Sequence, residues 1–181
     1  MKQSESVKRW KIELQEFVQK SSEELAALQK DAKRLLSEWS RTKTMDSFRL
    51  YLKTKDNAED LERKICRTKV ELLDQVYVSK YLYSDVEAYE VVNMKTPDLW
   101  EVRELDCELT EEASRKLKES FVPGGFFGHF DNSLQEWRFT SNKDNPVITI
   151  RRHKDGNFYM PNNSCKFVPK ASPYKRYDYN F

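Results

Sequence analysis

The residue types that most often do chemistry are few in this chain, and they are not spaced for it. The histidines, His129 and His153, stand in no metal-ligand spacing, and Cys66, Cys107 and Cys165 form no Cys-x-x-Cys pair. No Gly-x-Ser-x-Gly motif, P-loop or dinucleotide-binding glycine motif is present. We therefore predict that this protein is not an enzyme, and we expect no catalytic site, no metal and no cofactor.

A basic set near the carboxyl end is interleaved with aromatic rings. Residues 121–181 hold nine Lys/Arg and five Asp/Glu, a net charge of +4. Cations beside rings that stack on bases are typical of proteins that bind single-stranded nucleic acid. Nucleic-acid binding through Arg151, Arg152 and Lys154, with help from the last residues, is therefore our second hypothesis. We favour the alternative that these residues form a solvated hairpin turn and an arm that docks on protein, because nucleic-acid-binding domains usually carry a stronger basic footprint.

The composition favours long helices over a compact sphere. Of the 181 residues, 34% are charged and 38% are hydrophobic, which is below the roughly 45–50% apolar share of globular domains. A long helix needs fewer apolar residues, since it buries only one stripe. No apolar run reaches the roughly 18–20 residues that span a bilayer, and the cysteines are odd in number and far apart. We expect an intracellular protein, cytoplasmic or nuclear, without membrane contact.

Helical periodicity covers the first half of the chain. The first stripe has steps of mostly three and four residues and runs through Val7, Trp10, Leu14, Phe17, Leu25, Leu28, Ala32, Leu35 and Trp39. A break follows near residues 41–44, then a short helix over 45–52 and a second helix start near Asp56. The next stripe runs through Ala58, Leu61, Ile65, Leu72, Val76, Tyr83 and Val86. These patterns predict a helical hairpin or coiled coil over residues 1–92.

The periodicity changes after Asn93. Apolar and polar residues alternate over 99–109, which predicts a strand, and Thr110 begins a short helix that ends near residue 121. Residues 136–160 resemble a meander of three strands with a tight turn at Asp155-Gly156. In this reading Ile148 and Ile150 face the core and Thr149 faces away. We therefore predict a small α+β head over residues 93–160.

The last segment, residues 161–181, has three prolines, five aromatic rings and no periodicity. Disordered segments are depleted in aromatic residues, so we expect this arm to be anchored on something. One possibility is the chain's own head or helices, where the rings would fill grooves. Prolines keep a chain extended and away from local pairing, which favours docking on a partner or a neighbouring subunit. The residues predicted to make that contact are Tyr174, Lys175, Arg176, Tyr177, Tyr179 and Phe181.

The sequence as a whole predicts an α+β fold with a helical first half, a small antiparallel sheet with one helix, and an extended arm. Trp10 and Trp39 are large for a narrow helical seam, so we expect a protein partner or self-association through the helices. The first functional hypothesis is a structural or adaptor subunit of an intracellular assembly, which associates through its helices and docks through its arm.

Overall fold

The computed structural model describes residues 5–124, 129–161 and 164–180. The chain divides into two compact units, which are described separately. Lys8–Leu73 form a helical hairpin, and the described residues of Met1–Val7 and Asp74–Phe181 form a head that is rich in strands. The predicted α+β class is confirmed.

Two long helices make the hairpin, as predicted. Helix α1 spans Glu5–Thr42 and helix α2 spans Met45–Glu71, and they pack together. Between them Lys43 has a φ of 55°, in the left-handed region that ends helices, and its N–H donates to the Trp39 carbonyl at 2.7 Å. Helix α2 is continuous, so the second helix start predicted near Asp56 is wrong.

The predicted extent of the second helix is also wrong, because α2 ends at Glu71 and the chain turns to strands. Strand β1 spans Tyr77–Tyr81 and strand β2 spans Val86–Thr96. The apolar residues of this stretch fit steps of three and four, but they also fit the alternation of a strand, with Val76 and Val78 facing inward. The helical part therefore ends about where the units divide, after Leu73, and not at residue 92.

The head is built on a closed barrel in which every neighbouring pair of strands is antiparallel. Besides β1 and β2, the strands of the barrel are β3 (Leu99–Glu104), β6 (Val147–Arg152), β7 (Phe158–Tyr159) and β8 (Lys166–Lys170). They follow each other around the barrel in the order β1, β2, β3, β6, β7 and β8, and β8 pairs with β1 to close it.

Large side chains fill the barrel. Trp100 and Phe158 are fully buried with ring centroids 4.3 Å apart, and Phe167 lies edge-on to Tyr89 at 5.4 Å. Ile150 is fully buried and Thr149 is exposed, which confirms the predicted facing of this strand, while Ile148 is half-buried. Asp155-Gly156 lies in the turn between β6 and β7, as predicted, and Gly156 has a φ of 76°, which glycine adopts readily.

Beside the barrel lies a two-stranded sheet of β4 (Asp106–Leu109) and β5 (Trp137–Thr140). The predicted strand over 99–109 is confirmed as β3 and β4, but β5 pairs with β4 and not with β6, so the predicted meander is wrong. Helix α3 (Glu111–Glu119) follows β4, and the Thr110 hydroxyl caps it by accepting from the Ala113 N–H at 3.2 Å.

The burial of Ile150 gives a direct test of the barrel. Ile150→Ala should lower the free energy of unfolding by about 2–5 kcal/mol, because it leaves a cavity beside Trp100. Thr149→Ala, at the next position and exposed, should change it by about 0.5 kcal/mol or less. Urea denaturation of the full chain measures both. Equal effects of the two substitutions would contradict the assigned facing of β6.

Candidate functional site

The two tryptophans predicted to bind a partner lie near opposite ends of α1, and both are half-buried. Trp39 is covered from within the hairpin, because its ring lies 4.9 Å from that of Phe48 on α2 and the Lys43 ammonium lies 4.6 Å over it. A cation over the face of tryptophan is attracted by the ring's electrons. Trp39 therefore helps to close the hairpin at its turn, a role that the sequence analysis did not foresee.

Midway along the hairpin, a groove of 380 Å³ runs between the helices. We call the residues that line it the groove face: Gln29, Ala32, Lys33, Lys55, Ala58, Glu59 and Glu62. Ala32 and Ala58 supply its small side chains, and both belong to the predicted helical stripes. Small residues in a seam that otherwise carries leucines leave a hole between helices, since the methyl group cannot fill the space of a larger side chain.

The charges of the groove face are ordered along the hairpin. Lys33 and Lys55 lie toward the turn, because they are nine residues before Thr42 and ten residues after Met45. Glu59 and Glu62 lie farther from it. Lys55 and Glu59 approach to 3.6 Å, but both side chains are about half exposed, so this pair contributes little to stability. The groove thus has a basic end and an acidic end.

Apolar side chains on the hairpin are covered unevenly. Leu35 and Ile65 are 4% and 3% exposed, whereas Phe17, Leu36 and Leu50 are 41%, 40% and 51% exposed. Leu36 lies three residues after Lys33, a spacing that puts it on the same side of α1 as the groove. The hairpin therefore presents an exposed leucine next to a hole, on a surface whose charges are of both signs.

The arm that we predicted to dock on a partner lies on the chain's own head instead. Strand β8 belongs to the barrel, and beyond it the N–H groups of Val86 and Arg176 each donate to the other's carbonyl, at 2.8 and 3.0 Å. The Asp178 N–H donates to the Asp85 carboxylate at 2.8 Å, and the Phe130 N–H donates to the Asn180 side chain at 2.7 Å. The prediction of an arm that extends away from the head is wrong.

Some side chains of this segment contact other rings of the head, and others remain exposed. Lys175 lies 5.4 Å over the Trp137 ring, and Tyr179 stacks against Tyr177 and Phe130, with burial raising the pKa of its phenol. Tyr174 and Tyr177 remain 45% and 46% exposed, and the Arg176 side chain is exposed. The last predicted contact residue, Phe181, lies outside the described residues.

The three cations of the second hypothesis are not equivalent. Arg152 lies 4.6 Å over the Phe158 ring, forms a 3.4 Å ion pair with Asp98 and donates to the Pro97 carbonyl at 3.3 Å. Its charge is therefore engaged in the end of the barrel. Arg151 and Lys154 are exposed, and neither has an ion pair with any residue that the structure describes.

Among the described residues, no three His, Cys, Asp or Glu side chains are grouped so as to hold a metal ion. Burial raises the pKa of the Cys107 thiol, which makes it a poorer nucleophile. No helix in the part of the chain described has the length and apolarity needed to cross a membrane.

Comparison with known protein families, with curated proteins and with solved structures finds no match to this chain.

The position of the last residues predicts their contribution to stability. A chain ending at Ser172 should lose at least about 3 kcal/mol of unfolding free energy, because several hydrogen bonds to the head are worth about 0.5–1.5 kcal/mol each. It would also uncover Ser79, which is fully buried and whose hydroxyl donates to the Tyr174 carbonyl at 3.4 Å. Lys154→Ala, in the exposed turn, is the control. A melting temperature unchanged by the truncation would contradict this placement and support the predicted arm that docks on a partner.

Proposed function

We propose that this chain is a structural subunit that assembles with a second copy of itself through the groove face of its helical hairpin. The proposal is supported by the groove between Ala32 and Ala58 and by the exposed Leu36, which lies one helical turn after Ala32. An exposed apolar side chain next to a hole on the same surface is what a two-fold interface needs, since each copy then offers a knob and a hole to the other.

The hairpin gains more from such a partner than a globular domain would. Its helices are 38 and 27 residues long, so they extend over roughly 57 and 40 Å. Two helices bury only the stripe that each turns to the other, and most of their stability comes from tertiary packing. A second hairpin completes a four-helix bundle, in which each helix has two neighbours.

The charges favour a second copy of this chain over an unrelated helix. In an antiparallel pair related by a two-fold axis, the basic end of one groove meets the acidic end of the other. Lys33 and Lys55 of one copy then oppose Glu59 and Glu62 of its partner, and the same contacts repeat across the axis. Each exposed pair is worth about 0.2–1 kcal/mol, so the charges set orientation and partner choice more than affinity.

The proposal keeps the non-enzymatic, assembling role that the sequence suggested but gives it a different surface. The last residues are no longer offered as the docking element, because their main chain is already bonded to the head. Trp39 is not part of the proposed interface, since its ring is partly covered by Phe48.

Charge reversal tests both the surface and the occupant. Lys33→Glu/Lys55→Glu makes the groove face wholly acidic, and Glu59→Lys/Glu62→Lys makes it wholly basic. Each variant alone should dissociate at least about tenfold more readily than the native protein, because four attractive pairs become repulsive. An equimolar mixture of the two should form a heterodimer. Sedimentation velocity, with one variant labelled, measures the association of each variant alone and of the two mixed.

The matched control is Lys30→Glu/Lys64→Glu, which changes the charge equally at exposed positions that do not line the groove. It should associate as the native chain does. A native protein that sediments as a monomer at every concentration would contradict the proposal, and so would variants that associate alone as strongly as when mixed.

A further inference from the structure

The strand register of the barrel brings together four residues that the sequence separates. Arg151 on β6 lies opposite Tyr159 on β7, Tyr159 lies opposite Lys166 on β8, and Lys166 lies opposite Tyr81 on β1. Residues directly opposite each other on antiparallel strands point to the same face of a sheet. We call these four residues the outer row, in which cations and aromatic rings alternate around the barrel.

The outer row faces away from the barrel core. Its neighbours along the strands, Ile150, Phe158 and Phe167, are fully buried, and successive side chains of a strand point to opposite faces. Arg151 and Lys166 are exposed, and Tyr81 and Tyr159 are half-buried. The rings are thus anchored on the sheet while keeping part of their surface open to a ligand.

The stretch of chain that supplies Arg151, Tyr159 and Lys166 of the outer row is strongly basic. Residues 147–176 hold seven Lys/Arg and one Asp/Glu, although residues 74–181 as a whole hold 15 and 17. Among the described residues no carboxylate lies within ion-pair distance of Arg151, Lys166 or Lys170. The Lys166 ammonium lies 5.6 Å over the Tyr81 ring, a contact that holds it beside the ring without neutralising its charge. Cations that no described carboxylate neutralises attract a polyanion.

The single acid of that stretch is already engaged by its neighbours. The Asp155 carboxylate accepts hydrogen bonds from the Tyr159 hydroxyl and the Asn157 amide, both at 2.7 Å, and these bonds lower its pKa to about 2. The carboxylate therefore stays charged at neutral pH and fixes the edge of the Tyr159 ring. The His153 ring also contacts the Tyr159 ring, and their centroids are 4.7 Å apart.

Each end of the outer row opens into a cleft. The first, of 590 Å³, has Arg151, His153 and Tyr159 in its lining. The second, of 410 Å³, has Tyr81, Tyr83, Lys170, Tyr174 and Arg176 in its lining, together with the Asp85 carboxylate. Both volumes fall in the range of small-ligand sites, roughly 300–1,000 Å³. In the second cleft Tyr83 is 94% and Tyr174 45% exposed, beside Lys170 and Arg176.

We infer that the outer row and its two clefts bind single-stranded nucleic acid, with bases against the tyrosines and phosphates against Arg151 and Lys166. Tyr81 and Tyr159 lie two strands apart, so their rings are separated by roughly 10 Å with Lys166 between them. That spacing leaves room for one backbone phosphate between two stacked bases. A duplex does not fit this chemistry, because its bases are already stacked on each other and their faces are closed to the tyrosines.

The rings distinguish this ligand from other polyanions. An acidic peptide would use the cations but would have no flat group to place on Tyr81 and Tyr159. Base–aromatic stacking is worth about 1–3 kcal/mol per base, which corresponds to roughly a 5- to 150-fold change in affinity. The inference does not depend on hairpin assembly, since every residue of the outer row belongs to the head.

Fluorescence anisotropy of the full chain with a labelled oligothymidylate of about 15 nucleotides tests the inference. Tyr81→Ala and Tyr159→Ala should each weaken binding about 5- to 150-fold, whereas Tyr159→Phe, which keeps the ring, should bind as the native chain does. Lys166→Gln and Arg151→Gln should each weaken binding and reduce the salt slope by about 0.7. Lys118→Gln, an exposed cation on α3, is the control.

Melting temperatures of all variants keep loss of fold apart from loss of binding. The expected result is binding that falls with salt, prefers the single strand to a duplex of the same length, and weakens only with the row variants. Absence of binding at low salt would overturn the inference. It would also be overturned if polyglutamate or a duplex competed as well as the single strand, or if the alanine variants at the tyrosines bound normally.

Discussion

The pairing of β8 with β1 is the interaction on which the head depends. It closes the barrel through five residue pairs, from Tyr77 opposite Lys170 to Tyr81 opposite Lys166. Closure leaves no unpaired strand edge between β1 and β8, and it surrounds Phe167 with the rest of the core. It also directs the residues after Lys170 across the outer wall, where Arg176 pairs with Val86 and Ser79 becomes buried.

The same pairing creates the outer row. Lys166 and Tyr81 are 85 positions apart in the chain and become neighbours only through the register of β8 on β1. A slip of one residue would turn Lys166 inward and Phe167 outward, because side chains alternate along a strand. The burial of Phe167 therefore fixes the register, and with it the order of cations and rings. Packing inside the barrel determines the chemistry outside it.

Local signals in the sequence were enough to predict several elements. The helices, the break near Lys43, the Thr110 cap and the Asp155-Gly156 turn depend on residues close in the chain. The prediction of a helix after Leu72 is wrong because the apolar residues there satisfy two periods at once, and only the barrel decides between them. Prolines are rare in strands, yet Pro169 lies in β8. The two residues of β7 pair with Lys166 and Phe167 but not with Pro169, so Pro169 has a neighbouring strand only on the side of β1, and a proline is tolerated there.

The candidate surfaces were less predictable than the elements, for the same physical reason. Ala32 and Ala58 were both placed in helical stripes, but the hole between them follows from how α1 and α2 face each other. Arg151, Arg152 and Lys154 were grouped because they are adjacent, whereas the strand separates them: Arg152 turns to Phe158 and Arg151 turns outward. Tyr81, Tyr159 and Lys166 were missed because no local pattern joins them. Groove face and outer row lie in different units, so each can be altered without the other.

Hydrogen–deuterium exchange tests the closure of the barrel most directly. Amides bonded in a ladder exchange by opening of the structure, and those of a core strand need an opening close to global unfolding. Peptides that cover Lys166–Lys170 should therefore exchange as slowly as those that cover Val86–Thr96, which pairs with β1 on one side and β3 on the other. Exchange of the Lys166–Lys170 peptides at the rate of an unstructured chain, with Val86–Thr96 still protected, would contradict the closed barrel and everything argued from its register.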